Sequence, residues 1–296
     1  MSELGEKVKK SIERLKAFEP PEGYYLAFSG GKDSVVCKAL CEMAGVRFDA
    51  HYRITSVDPP ELVQFIRDKH PDVARDYPRY SDGTVATMWN LIPRKRMPPT
   101  RLVRYCCPIF KESGGDGRMV VTGVRWSESD NRKKNQGIVS IHSKKAAKEL
   151  AEDSFFVNKA GGVVLTNDND DVRRVVEQCY KRHKTTLNPI IDWIDAEVWE
   201  FIHAERADYC GMYDCGFSRL GCIGCPMASQ HGREREFLQW PKYKNMYLRA
   251  FQKMLDLREQ DNLLTIAWTG AEDVFRWWME YDDLPGQIDL LEDNAT

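Results

Sequence analysis

The sequence predicts an α/β protein built on a doubly wound parallel sheet, with a helical extension at its C-terminal side. Three stretches carry that expectation. The first is Tyr24-Tyr25-Leu26-Ala27-Phe28, an apolar run with the composition of a buried parallel strand. It breaks into Ser29-Gly30-Gly31-Lys32-Asp33-Ser34 and resumes with helical spacing at Val35, Val36, Ala39, Leu40 and Met43. The second is the alternation Val46, Phe48, Ala50, Tyr52, Ile54, followed by a turn, Thr55-Ser56-Val57-Asp58, that feeds a helix with Pro59 and Pro60 near its start. The third is Met119, Val120, Val121, Gly123 and Val124, a buried strand over 118–125 that ends in Arg125-Trp126-Ser127-Glu128-Ser129. Strands alternating with helices mark a sheet whose ligands lie beyond the strands' C-terminal ends. The Ser29 loop, the Asp58 turn and the Arg125 segment all fall there.

The remaining elements follow in order. Residues 5–18 have helical periodicity, and Pro20 and Pro21 stop that helix. A helix is expected over 84–92. Residues 133–185 are rich in Lys, Asn and Asp and carry one expected helix, Val172–Tyr180; they read as an insertion. Asn188-Pro189-Ile190-Ile191-Asp192-Trp193-Ile194-Asp195 leads into a helix over 196–204, and amphipathic helix follows around 235–258 and 271–281. The chain closes on a short acidic tail, expected to fray. This organises the sequence as an N-terminal helix (1–20), a nucleotide-binding and cysteine-bearing domain (21–231) and a helical extension (232–296).

A hydrophobic fraction of 42% supports a proper core, and 30% charged residues a soluble surface. A net charge of −2 excludes binding to nucleic acid by overall charge, so any such contact needs a local patch. The Pro-interrupted stretch 93–104, with five cationic side chains before a cysteine pair, is one candidate. The N-terminus does not read as a signal peptide, and no apolar run approaches the ~18 residues of a membrane span. The expected location is cytoplasmic.

A strand, a glycine turn and a helix N-terminus together form an anion site. Gly30 and Gly31 let the backbone turn and keep side chains out of the way, and the free amides of the first helical turn point at the ligand. Ser29 and Ser34 add hydroxyl donors and Lys32 a positive charge. Asp33 beside a phosphate calls for a bridging Mg²⁺. The spacing is not that of a Walker A loop. After the third strand, Arg125, Glu128, Ser129 and Arg132 project where phosphate and ribose would lie, arginine being suited to bidentate phosphate contacts.

The cysteines, nine in number and irregularly spaced, argue against a disulfide framework. Cys222-x-x-Cys225, flanked by glycines and closed by Pro226, is a metal-binding knuckle, and Cys106-Cys107 would complete four thiolates suited to zinc or an iron–sulfur cubane. Adjacent cysteines reach separate corners of a cluster more easily than one small ion, which favours iron–sulfur. Cys210, Cys215, Cys222 and Cys225 form a competing quartet. Cys37, Cys41 and Cys179 fall on helical patterns as core residues.

Together, the Ser29–Ser34 loop, Gly123-Val124-Arg125 with Glu128, Ser129 and Arg132, the Cys106-Cys107 pair, Pro189-Ile190-Ile191-Asp192-Trp193 and Gly221-Cys222-Ile223-Gly224-Cys225-Pro226 resemble the phosphoadenosine phosphosulfate (PAPS) reductase family. The family belongs to the PP-loop, adenine nucleotide α-hydrolase-like superfamily, and the match runs over about 22–227 in the family's order. The resemblance implies a Rossmann-like sheet of about five parallel strands that binds an adenine nucleotide, and a 4Fe–4S cluster on Cys106, Cys107, Cys222 and Cys225. Two departures stand out. No cysteine follows Cys225, so the C-terminal Glu-Cys-Gly-Leu-His segment of the sulfonucleotide reductases has no counterpart here. The complete Ser-Gly-Gly-Lys-Asp-Ser loop also looks more like that of the ATP pyrophosphatases, including those of tRNA thiolation and DNA phosphorothioation. The expectation is therefore an AMP-forming ATP pyrophosphatase. Lys32, Asp33, Arg125 and Arg132 would act on Mg–ATP held by Ser29–Ser34, Asp58, Gly123, Arg125, Glu128 and Ser129. The sulfur acceptor would be a nucleic acid or small molecule. The sulfur would come from a cysteine desulfurase or other donor, through the cluster or a persulfide on Cys210 or Cys215. The alternatives are a PAPS or adenylylsulfate (APS) reductase, and a non-catalytic subunit that binds nucleotide and cluster.

Overall fold

The computed structural model describes residues 2–143, 156–165, 176, 183–263 and 268–281. The chain divides into two compact units: Met1–Arg53, Pro60–Asp76 and Ser113–Leu220 in the first, and Ile54–Pro59, Tyr77–Glu112 and Gly221–Thr296 in the second.

The first unit holds the sheet. Its strands are β1 (Tyr24–Ala27), β2 (Phe48–Arg53), β3 (Ala74–Asp76), β4 (Met119–Val121), β5 (Val139–Ile141), β6 (Phe156–Val157), β7 (Val163–Leu165) and β8 (Thr185–Leu187). They lie in the order β3-β2-β1-β4-β8-β5-β7-β6. β3, β2, β1, β4 and β8 run parallel, and Leu26 at the centre of β1 faces Ala50 on one side and Val121 on the other. The chain progresses outward from β1 in one direction and then returns to its other side. The crevice at the C-terminal end of β1 is therefore a switch point, where open α/β sheets bind ligands. Three helices of this unit, α1 (Glu3–Ala17), α2 (Lys32–Ala44) and α3 (Pro60–Lys69), follow from their signals. Ser2 caps α1 by accepting from the Gly5 amide at 3.1 Å, and Gly45 at φ 67° ends α2. Leu26, Val36 and Leu40 are fully buried between sheet and helices, as their spacing requires.

The sheet also differs from the expectation. β5, β7 and β6 run antiparallel and extend it beyond β8. They fall in the stretch read as an uninformative insertion, because strands of two or three residues between polar runs leave no alternation to detect. The strand expected over 118–125 spans only Met119–Val121. The helix expected over Val172–Tyr180 lies outside the described residues except for Val176, which is buried. Cys179 and the acidic tail lie outside them altogether.

The second unit is helical: α4 (Met88–Lys95) and α5 (Cys106–Phe110), then three helices towards the C-terminus over Gln230–Gln239, Pro241–Gln260 and Ala271–Trp278. α4 begins later than the periodicity suggested because Thr87 and Asn90 form a capping box there. The single helix expected over 235–258 is broken at Trp240-Pro241, where proline, lacking an N–H, starts a new helix. Phe237, Tyr247, Phe251 and Trp278 form its aromatic core, with Tyr247 and Trp278 centroids 4.7 Å apart. Among the described residues no helix is long and apolar enough to cross a membrane.

Candidate functional site

The loop after β1 turns through Gly30, at φ 74°. A Cβ there would lie 2.8 Å from the side chains of Ile66 and Leu62, so the position needs glycine for both conformation and space. Ser34 Oγ binds the turn from within, donating to the Gly31 carbonyl at 2.8 Å and accepting from the Ser29 amide at 3.2 Å. Ser29 Oγ lies 3.3 Å from Ser34 Oγ. Among the described residues the Gly30 and Asp33 amides donate to no protein acceptor. The Lys32 amide donates to the Tyr213 hydroxyl at 2.9 Å. The loop therefore presents amides and hydroxyls at the start of α2 in the arrangement of an anion cradle.

Four charged side chains close a ring around that helix start. Lys32 Nζ lies 3.1 Å from Asp195 Oδ1 and 3.9 Å from Asp33 Oδ2. Arg125 reaches Asp33 Oδ1 through Nε at 2.7 Å and Asp195 Oδ1 through Nη2 at 2.9 Å. Both cations are buried, while the Asp195 carboxylate is 62% exposed, so Asp195 is the arm of the ring that an incoming anion can most readily replace. Partial burial pushes the Asp195 carboxyl up, but the hydrogen bonds and charges of Lys32 and Arg125 outweigh it and hold the group below the usual carboxylate range.

Asp195 was missed as a site residue. The segment before it is locked to α1. Trp193, fully buried, donates from Nε1 to Ser11 Oγ at 3.2 Å, and Arg14 grips Asp192 through two bonds of 2.8 and 3.0 Å. Asp195 then stands at the first position of helix α7 (Asp195–Ala204), where an acidic residue is also a common helix starter. That local explanation hid its pairing with residues more than sixty positions away.

Gly123 brings the end of β4 against α2: a Cβ there would sit 2.8 Å from Asp33 Cβ and 3.0 Å from the Asp33 carbonyl carbon. Arg125 reaches Asp33 because of that approach. Glu128 accepts from the Arg125 amide at 3.0 Å and pairs with Arg132. Ser129 Oγ accepts from the Arg132 amide at 3.2 Å and caps the short helix α6 (Asp130–Asn135). Thus Glu128, Ser129 and Arg132 are engaged with one another, and Arg125 alone of this segment joins the charged ring.

Asp58, expected beside the nucleotide, belongs to the second unit. Its carboxylate accepts from the Thr55 amide at 3.0 Å, and its charge acts on Lys111 and Cys222. All four cysteines of the favoured set lie in this unit. Cys106 and Cys107 open α5, and Cys222 and Cys225 share a turn in which the Cys225 amide donates to the Cys222 carbonyl at 3.2 Å. Gly224, at φ 70°, lets that turn press on the aromatic core, since a Cβ would meet Phe237 at 2.7 Å. The charges of Cys107, Cys222 and Cys225 all act on the Cys106 thiol and raise it. Cys106 and Cys107 share a hydrogen bond that holds the Cys107 thiol down and the Cys106 thiol up. Burial raises the Cys222 thiol, and the Lys111 ammonium opposes that rise; the Cys222 charge in turn holds Lys111 protonated. Among the described residues no three His, Cys, Asp or Glu side chains converge on a point where one ion would sit. Cys210 and Cys215 belong to the first unit, apart in the chain's organisation from Cys222 and Cys225. Cys37 and Cys41 are buried, as their helical spacing suggested.

Residues 23–228, well over half of the chain, match the family model of the phosphoadenosine phosphosulfate reductase domain. The chain belongs to that family. As a PAPS reductase-family protein it is similar to an uncharacterized protein of Methanocaldococcus jannaschii, 26% identical over 267 residues that cover 85% of this chain and 46% of the relative. The chain spans about half the length of the curated relatives it matches. Adenosine 5'-phosphosulfate reductase of Allochromatium vinosum is 33% identical over 54 residues, 18% of this chain and 21% of that one. Among solved structures, phosphoadenylyl-sulfate reductase from Candida auris superposes with a TM-score of 0.42 at 14% identity, covering 75% of this chain and 96% of that chain.

Proposed function

We propose that this PAPS reductase-family chain binds Mg–ATP in the Ser29–Ser34 loop and forms an adenylate that is then displaced by sulfur. The observation that supports this most directly is the charged ring at the switch point. Two buried cations, Lys32 and Arg125, stand beside unpaired loop amides, in a place where a polyphosphate is the fitting anion.

In this reading the Gly30 and Asp33 amides, the Lys32 ammonium and the Ser29 hydroxyl hold the β- and γ-phosphates. A substrate oxygen attacks the α-phosphorus; the bond from that phosphorus to the bridging oxygen breaks, and pyrophosphate leaves with its electron pair. Arg125 neutralises the developing charge. A sulfur nucleophile then forms a bond to the activated centre and AMP departs. The acceptor is a nucleic acid or small molecule, and the sulfur donor a desulfurase-type partner. The Asp33 carboxylate would hold a Mg²⁺, which would offset polyphosphate charge. Cys106, Cys107, Cys222 and Cys225, which act on one another's charge, would hold an iron–sulfur cluster, with Lys111 countering its negative charge. Such a cluster, when bound, supplies one-electron or sulfide chemistry.

Asp33→Ala should abolish pyrophosphate release from ATP while leaving the iron content of anaerobically purified protein intact. Full activity in that variant contradicts the reading. A second reading, sulfonucleotide reduction, draws on the family itself and on the short match to an adenosine 5'-phosphosulfate reductase. Sulfite release from PAPS or APS with a dithiol reductant, in the absence of ATP, would establish it.

A further inference from the structure

Helix α7 carries more than the Asp195 arm of the charged ring. Asp195, Trp199 and His203 recur at every fourth residue, so they share one face of the helix. The Trp199 and His203 rings lie 23° from parallel, with centroids 5.9 Å apart. Tyr209 and Tyr213 stand edge-on to Trp199, at 5.3 and 5.0 Å. Tyr213 also joins this group to the loop: its hydroxyl accepts from the Lys32 amide at 2.9 Å, and the Lys32 ammonium lies 5.7 Å from its ring centroid. The aromatic group therefore runs on directly from the buried cations of the site.

Core packing does not account for these rings. His203 is exposed and Trp199 only half-buried. The indole N–H groups of Trp126, Trp193 and Trp278 each donate to a protein oxygen. That of Trp199 is not buried and, among the described residues, meets no acceptor. The His203 ring nitrogens likewise have no partner among the described residues. Arg206 follows just past the helix end, its amide donating to the His203 carbonyl at 3.3 Å. Its side chain is exposed and pairs with no acid among the described residues. The face thus has positive charge at both ends and flat rings with unused polar atoms between.

We propose that this face of α7 is a stacking shelf for a base of a single-stranded nucleic acid, which makes nucleic acid, rather than a small molecule, the acceptor in the activation chemistry. The inference rests on the reading of the loop as a polyphosphate site and names the substrate that site serves. Aromatic rings stack on bases of any sequence while cations beside them take the backbone phosphates, and single strands are held by that combination. A small acceptor calls for an enclosed pocket rather than an open line of rings. A net charge of −2 leaves nucleic-acid binding to a local arrangement, and the shelf supplies one. The bases of a duplex are already stacked on one another, so the shelf selects an unpaired strand.

The test is fluorescence anisotropy of labelled oligonucleotides of about twelve nucleotides with the full chain at physiological salt. The probes are a single-stranded RNA, the same sequence as DNA, a duplex of it, and an abasic strand that keeps the phosphates. The unaltered protein should bind the single strand more tightly than the duplex or the abasic strand. Either sugar supports the shelf, and the tighter of the two names the acceptor. Trp199→Ala should weaken binding of the base-bearing strand by about 5- to 150-fold and His203→Ala by about fivefold, with the abasic strand unaffected in both. Equal binding of abasic and base-bearing strands, or no loss in His203→Ala, overturns the shelf. Should Trp199→Ala misfold, His203→Ala, at an exposed position, carries the test alone. Calorimetric titration of the same proteins with inorganic pyrophosphate keeps the two readings apart. Pyrophosphate bound with no oligonucleotide bound overturns the shelf and leaves the polyphosphate site standing. A strand bound through its bases with no pyrophosphate bound supports the shelf and overturns the polyphosphate reading. Weaker ATP binding in both variants, with strand binding unchanged, gives the rings to the adenine of ATP and overturns the shelf.

Discussion

Replacing Gly123 by alanine tests how the site is assembled. The added Cβ would meet Asp33 Cβ at 2.8 Å, the Asp33 carbonyl carbon at 3.0 Å and its oxygen at 3.1 Å. Carbon atoms pack best at about 3.5–4.0 Å, so the end of β4 must retreat from α2 by roughly 0.7 Å or more. Two of the three obstructing atoms are backbone, and no rotamer change relieves them. The retreat acts directly on Arg125, two residues on, whose bond to Asp33 is 2.7 Å long. Overpacking of this kind costs about 1–3 kcal/mol, and a displacement near 1 Å at a reacting site costs about 10²-fold in rate. Urea unfolding followed by circular dichroism reads the first quantity, and pyrophosphate affinity by calorimetry reads the state of the loop. The expected outcome is a destabilisation of about 1–3 kcal/mol together with weaker pyrophosphate binding. A variant within about 0.5 kcal/mol of the parent, the spread of an ordinary surface substitution, would refute the close approach as the device that brings Arg125 to Asp33.

Three further outcomes are expected. Asp195→Asn should cost about 1 kcal/mol or less, because its carboxylate is largely exposed and such pairs are screened, yet it should bind pyrophosphate more tightly by removing a competitor for Lys32; weaker binding would contradict the role given to Asp195. Burial raises the Asp192 carboxyl, but the hydrogen bonds and charge of Arg14 hold it below the usual range. A depressed folded value gives stability that is full above the unfolded pKa, about 3.9, and is lost as pH falls below it. Arg14→Met should therefore flatten the acid limb of the stability–pH curve below about pH 4, and an unchanged limb would remove that pair from the account. Cys222→Ser should lose most of the iron of anaerobically purified protein, measured by absorbance and iron analysis; full iron content would exclude Cys222 as a ligand.

Local signals made the centre of the fold legible in the sequence. Tyr24–Phe28 followed by Ser-Gly-Gly joins a buried strand to a helix start within a dozen residues, and each part has its own composition. The loop and Arg125 could be placed at strand ends for the same reason. Asp195 and Tyr213 could not be. Their contacts with Lys32 span more than 160 residues, and each has an ordinary local explanation, an acidic helix start and an aromatic residue in a turn. Glu128, Ser129 and Arg132 show the converse: side chains that suit phosphate in the sequence are spent on a backbone amide, a helix cap and an ion pair. Asp58 likewise looked like a partner of the Ser29 loop because both follow strands. Its carboxylate instead closes its own turn and faces the charges of the cysteine unit. The antiparallel strands β5 to β7 left no pattern, being too short for alternation to register.

The most direct measurement is a co-crystal structure with Mg²⁺ and a non-hydrolysable ATP analogue. The account predicts β- and γ-phosphates on the Gly30 and Asp33 amides and a metal ion on the Asp33 carboxylate. An adenylylsulfate or PAPS complex that fills the loop with its phosphosulfate, leaving no place for further phosphates or a metal, would contradict it and make sulfonucleotide reduction the function.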